Sequence, residues 1–176
     1  MDAFLGTSQL LPLGSETRAT CRFHVLVEAG NFADLRRYLG CARADVLVED
    51  MATRLRQTLF DPRVRTVGRN LIELDVEGGT PEQLDTLMAA ACRAFEAPLD
   101  LDGEKHHVKI VIGGAVGAWH ADEVKLAEEA ERALARARDC DCPVTQAIET
   151  LPHDAALLER ARAAMARLNS RYPGGK

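Results

Sequence analysis

The sequence is poor in aromatic residues, in excess positive charge and in long apolar runs. Aromatic residues make up 5% of the 176 positions, and 22 Lys and Arg residues face 27 Asp and Glu residues, a formal net charge of −5. A general nucleic-acid binder needs a basic face that displaces counterions from phosphates, so we expect no nucleic-acid partner. No apolar run approaches the ~20 residues that cross a bilayer, so we expect no membrane insertion.

The cysteines and the N-terminal segment indicate the compartment. Five cysteines, an odd number at scattered positions, are typical of buried or idle thiols in a reducing environment. Residues 1–18 contain acidic side chains and have neither the basic start nor the apolar core of a signal peptide. The sequence therefore predicts a cytoplasmic protein.

The length and the composition predict one domain with extensions. A chain that is 47% hydrophobic and 28% charged can bury a core, and its length suits a single domain. We interpret residues 1–20 as an N-terminal arm, residues 21–150 as the domain, and residues 151–176 as a C-terminal helix and tail. That last helix is either a linker to a following domain or a helix that packs on this domain or on a second copy.

Hydrophobic periodicity predicts alternating strands and helices. A strand is predicted over residues 21–28, where Phe23, Val25 and Val27 alternate, and a hairpin over residues 64–76 turns at Gly68-Arg69. The other predicted strands are 99–101, 107–116 and 144–148, and the predicted helices are 32–39, 45–59, one opened by the Thr80-Pro81-Glu82-Gln83 capping box, 122–138 and 154–168. Hairpins between helices predict an α+β fold with a mixed, mostly antiparallel five-stranded central sheet.

Three segments occur in an order that indicates a family. They are the hairpin Arg65-Thr66-Val67-Gly68-Arg69-Asn70-Leu71, the strand Val111-Ile112-Gly113-Gly114-Ala115 and the helix over residues 129–138. With the first strand, which ends at Glu28-Ala29-Gly30-Asn31-Phe32, they resemble a degenerate GGDEF (diguanylate cyclase-like) domain. The resemblance implies the GGDEF, or nucleotidyl cyclase palm-like, fold.

The residues that would do cyclase chemistry differ from the family pattern. Joining two GTP molecules requires carboxylates that hold Mg²⁺. Glu28 preserves one acid, but Arg69 and Asn70 stand where the family hairpin has two acids. A guanidinium repels a divalent cation, so we expect no Mg²⁺ binding and no cyclase activity.

Other family positions have also changed. Ala33 replaces a lysine expected near the phosphates, and Glu129 replaces an arginine. Arg36 replaces the asparagine that would read guanine, although Asp45 keeps the partner acid. The product-inhibition motif lacks its arginine, because Thr58 stands there.

The resemblance defines a vestigial nucleotide site with no catalytic residue and no metal ligand: Glu28, Gly30, Asn31, Phe32, Arg36, Asp45, Gly68, Arg69, Asn70 and Lys125. Two interpretations stay open. In the first, which we favour, Arg69 pairs with Glu28 and seals the site. In the second, Arg36, Arg65 and Arg69 supply the positive charge of the lost metal and bind phosphate without it.

Three further motifs receive structural interpretations. Cys140-Asp141-Cys142 has only two of the four ligands of a structural zinc site. His106-His107 is predicted to lie in a strand, where neighbouring side chains point to opposite faces. The glycine pairs at 78–79 and 113–114 are explained by a turn and by close packing.

The predicted function is that of a catalytically inactive GGDEF-like domain. It would act as a regulatory or protein-interaction module in cyclic di-GMP signalling, controlling an attached or separate EAL phosphodiesterase. The alternative is a GTP-binding sensor with a residual nucleotide site. No cofactor is expected beyond GTP as a ligand, and the expected partners are another protein, an adjacent EAL-type domain or a second copy of the chain.

Overall fold

The computed structural model describes residues 21–59, 63–140 and 145–151. The predicted N-terminal arm and C-terminal helix lie outside these residues. Within them, no helix is both long and apolar enough to cross a bilayer. The elements in chain order are β1 (Cys21–Ala29), α1 (Phe32–Leu39), α2 (Cys41–Leu59), β2 (Val64–Val67), β3 (Leu71–Gly78), α3 (Gln83–Ala94), β4 (Leu99–Leu101), β5 (Glu104–His106), β6 (Ile110–Ala118), α4 (Glu123–Asp139) and β7 (Thr145–Thr150).

The central sheet has five strands in the order β2-β3-β1-β6-β7. The pairs β2–β3, β3–β1 and β1–β6 are antiparallel, and β6–β7 is parallel. The predicted α+β fold with a mixed, mostly antiparallel five-stranded sheet is confirmed. Glu28 lies opposite Leu71 in the register, so the end of the first strand lies beside the β2–β3 turn.

The alternation of side chains along β1 divides the core between the two faces of the sheet. Phe23, Val25 and Val27 point to the larger core, which they share with α1, α2 and α3. Leu26 points to the smaller core, where α4 packs. The glycines of β6 allow this packing, since a Cβ at Gly113 would lie 2.2 Å from the backbone nitrogen of Leu134 in α4.

Helix starts differ from prediction in two places. α2 begins at Cys41, so Asp45 lies inside the helix and does not cap it. α3 begins at Gln83, later than the predicted proline position, although the Gln83 side chain accepts hydrogen bonds from the backbone N–H groups of Gly79 and Thr80 as a capping box requires.

The hairpins differ as well. The predicted turn at Gly68-Arg69 has three residues in the structure, Gly68 to Asn70, and Gly68 adopts a positive φ of 73°, which glycine tolerates best. The strand β4 pairs with the short β5 in a separate two-stranded sheet, so the long strand β6 starts at Ile110. His106 therefore ends β5, and His107 lies outside the strands.

Candidate functional site

Glu28 is the acidic residue at the end of β1, and its carboxylate has two nitrogen partners. The side-chain amide of Asn70 donates to Oε1 at 2.9 Å, and Arg138 Nε donates to Oε2 at 2.6 Å. Asn70 comes from the β2–β3 turn and Arg138 from the last turn of α4. Only 16% of the Glu28 side chain is exposed. The acid is therefore held by the hairpin on one side and by a helix on the other.

A cleft of about 610 Å³ lies between the β2–β3 turn and the start of α2, and Arg36 of α1 also lines it. Its lining includes two positively charged residues, Arg36 and Arg69, and two negatively charged residues, Asp45 and Glu49. Glu49 accepts a hydrogen bond from the Thr66 hydroxyl at 2.7 Å. The cleft is therefore close to electrically balanced, with its two cations on α1 and on the turn.

No family model and no curated protein matches the chain, whereas several solved structures match its fold. The GGDEF domain of a Pseudomonas aeruginosa protein matches with a TM-score of 0.65 at 18% identity, covering 80% of this chain and 83% of that one. The active GGEEF domain of a Vibrio cholerae diguanylate cyclase gives 0.62 at 17%, covering 73% and 83%. An EAL/GGDEF domain protein from M. capsulatus gives 0.61 at 17%, covering 78% and 88%.

The chain has the fold of a GGDEF domain. At these identities the likeness establishes the fold and nothing further. The predicted resemblance to a GGDEF domain is thereby confirmed as a resemblance of fold.

The residues near Glu28 do not fit the divalent cation that the GGDEF resemblance implies. Both carboxylate oxygens accept hydrogen bonds from nitrogen donors, and one of those donors carries a positive charge. A hard divalent cation prefers several oxygen ligands, and the turn offers Arg69 and Asn70 in their place.

The expected pairing of Arg69 with Glu28 is wrong. Among the described residues Glu28 pairs with Arg138, and Arg69 instead lines the cleft. Arg69 lies in the middle of a three-residue turn, where the strict alternation of a strand no longer determines the direction of the side chain.

Four of the predicted site residues lie together in the cleft: Arg36, Asp45, Gly68 and Arg69. Arg65 does not join them. It lies on the opposite face of β2, where its guanidinium pairs with Glu73 and Asp75 at 3.0 and 3.1 Å.

The residues that follow β1 have packing roles. The backbone N–H of Gly30 donates to the Lys109 carbonyl at 2.7 Å. The Asn31 amide donates to the His107 carbonyl and accepts from the Lys109 backbone N–H. Phe32 is buried in the larger core. All three belong to the predicted nucleotide site, but in the structure Gly30 and Asn31 secure the β5–β6 connection to the end of β1 and Phe32 packs in the core.

Lys125 lies at the wrong end of the sheet for the predicted site. It is exposed in the first turn of α4, where its backbone N–H donates to the Asp122 side chain that caps the helix. The start of α4 pairs with Arg22 through Glu123, at the opposite end of β1 from Glu28. Thirteen residues of helix separate Lys125 from Arg138, about 20 Å along the axis.

Arg138 is one of the site residues that sequence reasoning missed. It is the last position of the helix segment that resembles the family pattern, and it retains a basic residue there. Arg138 and Glu28 are 110 positions apart in the sequence, so their contact could be predicted only from the tertiary fold.

Proposed function

We propose that this GGDEF-fold domain is catalytically inactive and acts as a regulatory or protein-interaction module in cyclic di-GMP signalling. The observation that carries the proposal is the occupied carboxylate of Glu28. A cyclase needs that acid free to hold a metal, and here Asn70 and Arg138 take both of its oxygens. The proposed place of action is the cytoplasm.

The proposed partner is an EAL-type phosphodiesterase, either attached to this chain or separate from it. One similar structure belongs to an EAL/GGDEF domain protein, so the two modules occur in one polypeptide elsewhere. A domain without its own turnover could influence the partner by contact alone.

A cyclase assay tests the inactivity directly. The purified chain is incubated with GTP and Mg²⁺ or Mn²⁺, and products are separated by chromatography, with the active Vibrio cholerae domain as the positive control. We expect no cyclic di-GMP above a mock preparation. Enzyme-dependent product that disappears in the Glu28→Gln variant would overturn the proposal.

The regulatory role has its own test. Binding of the chain to the EAL-type phosphodiesterases of the same cell is measured, together with their hydrolysis of cyclic di-GMP. We expect one of these enzymes to bind and to change its rate. Unchanged rates in all of them would contradict this part of the proposal.

The second candidate is a GTP-binding sensor, and the charged cleft favours it. Arg36 and Arg69 can contact phosphate oxygens, and Asp45 keeps the acid that the family pairs with guanine. Calorimetric titration with GTP, with and without Mg²⁺, distinguishes the candidates. A GTP sensor should bind GTP equally in both buffers, and its Arg69→Ala variant should lose binding. If no heat of binding is measured in either buffer, the sensor is excluded and the interaction module is the remaining candidate.

A further inference from the structure

A histidine and two carboxylates converge in the middle of the β1–β3 pair, and none of the three lines the cleft. His24, Glu73 and Asp75 each offer a ligand atom, and these atoms all lie within 4.8 Å of one another. The three side chains share the sheet face on which α4 packs. Among the residues that the structure describes, α4 lies against β1, β6 and β7. The side chains of Glu73 and Asp75 are 18% and 25% exposed, whereas that of His24 is buried, so the two carboxylates form the solvent side of the cluster.

The imidazole of His24 is oriented by Asp75. Its Nδ1 lies 2.7 Å from Asp75 Oδ1, a short hydrogen bond, and only 6% of the residue is exposed. With the proton on Nδ1 and donated to Asp75, the other nitrogen, Nε2, presents its lone pair. A carboxylate that holds one ring nitrogen while the other binds a metal is the usual outer arrangement of metal-binding histidines.

The spacing on the other side of the ring suits a bridging ion. Nε2 lies 3.3 Å from Glu73 Oε1, longer than the usual 2.7–3.2 Å of an N–H···O hydrogen bond. Two ligand atoms that are each ~2.0–2.1 Å from a tetrahedral ion are ~3.3 Å apart. The two atoms therefore already stand at the separation of two ligands of one ion.

Arg65 modulates this cluster without blocking it. Its guanidinium contacts Glu73 Oε2 and Asp75 Oδ2, and the side chain is 63% exposed. The oxygens that face His24 are the other two, Glu73 Oε1 and Asp75 Oδ1. Its positive charge lowers the affinity for a cation, while the approach between Nε2 and Oε1 stays free of it.

We propose that His24 Nε2 and the Glu73 carboxylate bind a divalent transition-metal ion of the Zn²⁺ class. Asp75 holds His24 in the ligating orientation, and water completes the coordination. An imidazole ligand favours Zn²⁺, Ni²⁺ or Cu²⁺ over Mg²⁺ and Ca²⁺, which prefer oxygen. The site shares no residue with the cleft or with the Glu28 contact, and it does not depend on the proposed signalling role.

The test is calorimetric titration of the full chain with ZnCl₂, after its thiols have been alkylated so that cysteines cannot bind the ion. We expect one ion per chain. His24→Gln and Glu73→Gln should each weaken binding at least tenfold, and Asp75→Asn about 10–100-fold, as the loss of an orienting partner does. Arg65→Met should tighten binding severalfold, since it removes the competing charge.

The matched control is Glu77→Gln, which removes an acid two residues along the same face of β3 and outside the cluster. It should bind Zn²⁺ as the unaltered chain does. Circular dichroism verifies the fold of each variant. If His24→Gln fails to fold, the two single variants Glu73→Gln and Arg65→Met test the proposed site without it. No Zn²⁺ heat, equal affinity in Glu73→Gln and the unaltered chain, or weaker binding in Arg65→Met would each overturn the proposal.

Discussion

At the scale of single residues, the most informative contact is the one that neutralises Glu28. A carboxylate that is 16% exposed needs hydrogen-bond donors, and Asn70 and Arg138 supply them. Arg138 is itself 51% exposed, so water screens part of the attraction. The contact therefore contributes more to the position of the turn and α4 than to the stability of the fold.

A double-mutant cycle measures this contact. Glu28→Gln, Arg138→Gln and the double variant are unfolded in urea, and the coupling free energy should be about 0.5–1 kcal/mol in favour of the pair. Asp34→Asn is the matched control, because the Asp34–Arg37 pair is 79% and 82% exposed and should contribute nothing measurable. A coupling no different from zero would show that the two side chains do not interact in solution.

The thiols should differ in reactivity. Burial raises the pKa of Cys92, Glu96 adds to this, and Arg93 opposes it. A raised pKa leaves less thiolate near neutral pH, so Cys92 should be alkylated more slowly than the exposed Cys41, and its rate should keep rising at more alkaline pH. Mass spectrometry of peptides after timed alkylation measures both rates. Equal rates near neutral pH would contradict the expectation.

Sequence reasoning located part of the site at this scale. It placed Glu28, Arg69 and Asn70 in one site, because a strand end and a hairpin turn recur together in the family pattern. It could not assign Glu28 to Arg138 in place of Arg69, since a turn side chain and a long helical side chain each have several allowed directions. Nucleotide binding at this site stays a prediction.

At the scale of elements, the packing of α4 on β6 depends on the absence of a side chain. Leu134 in α4 lies against the backbone of Gly113, and a Cβ there would overlap its backbone nitrogen and Cα. Backbone atoms cannot move aside as a flexible side chain can. The helix must therefore shift as a whole if any other residue stands at this position.

Gly113→Ala is expected to destabilise the chain by about 1–3 kcal/mol through this overlap. Gly79→Ala is the matched control, since its added Cβ would meet only Gln83 Oε1, at 3.9 Å. Urea unfolding of both variants gives the comparison. A Gly113→Ala variant as stable as the unaltered chain would mean that α4 sits farther from β6 than described.

Elements with strong periodicity were predicted well, and short ones were not. The alternation of apolar residues in β1 and the apolar face of α2 both extend over many residues, so a single residue that departs from the pattern does not obscure it. β5 has three residues and no alternation of its own, and it exists because β4 pairs with it. Such a strand is determined by tertiary contact and not by its own residues.

At the scale of the whole molecule, the elements that the structure describes cover the two faces of the sheet unequally. Three helices cover the larger core, whereas α4 covers the other face over β1, β6 and β7. β1 is paired on both edges and buried on both faces. The β4–β5 hairpin stands apart from the central sheet.

Hydrogen exchange should follow this arrangement. Amides of β1 and β6 should exchange slowest, at the rate of global unfolding, because they open only when the whole sheet does. Amides of the β4–β5 hairpin should exchange faster by local opening. Exchange measured by NMR, or by mass spectrometry of peptides, tests the order. Equal protection of β5 and β1 would show that the hairpin unfolds only together with the sheet.

The exposure of the β2–β3 turn separates the chemistry of the turn from the stability of the fold. Gly68 and Arg69 are exposed, and Asn70 is half-buried, so the turn adds no side chain to either core. A different side chain at Arg69 would change the chemistry of the turn while leaving the free energy of folding nearly unchanged. The stability of this fold thus places little constraint on which group the turn presents to the cleft, so the architecture and the chemistry of the turn can vary independently.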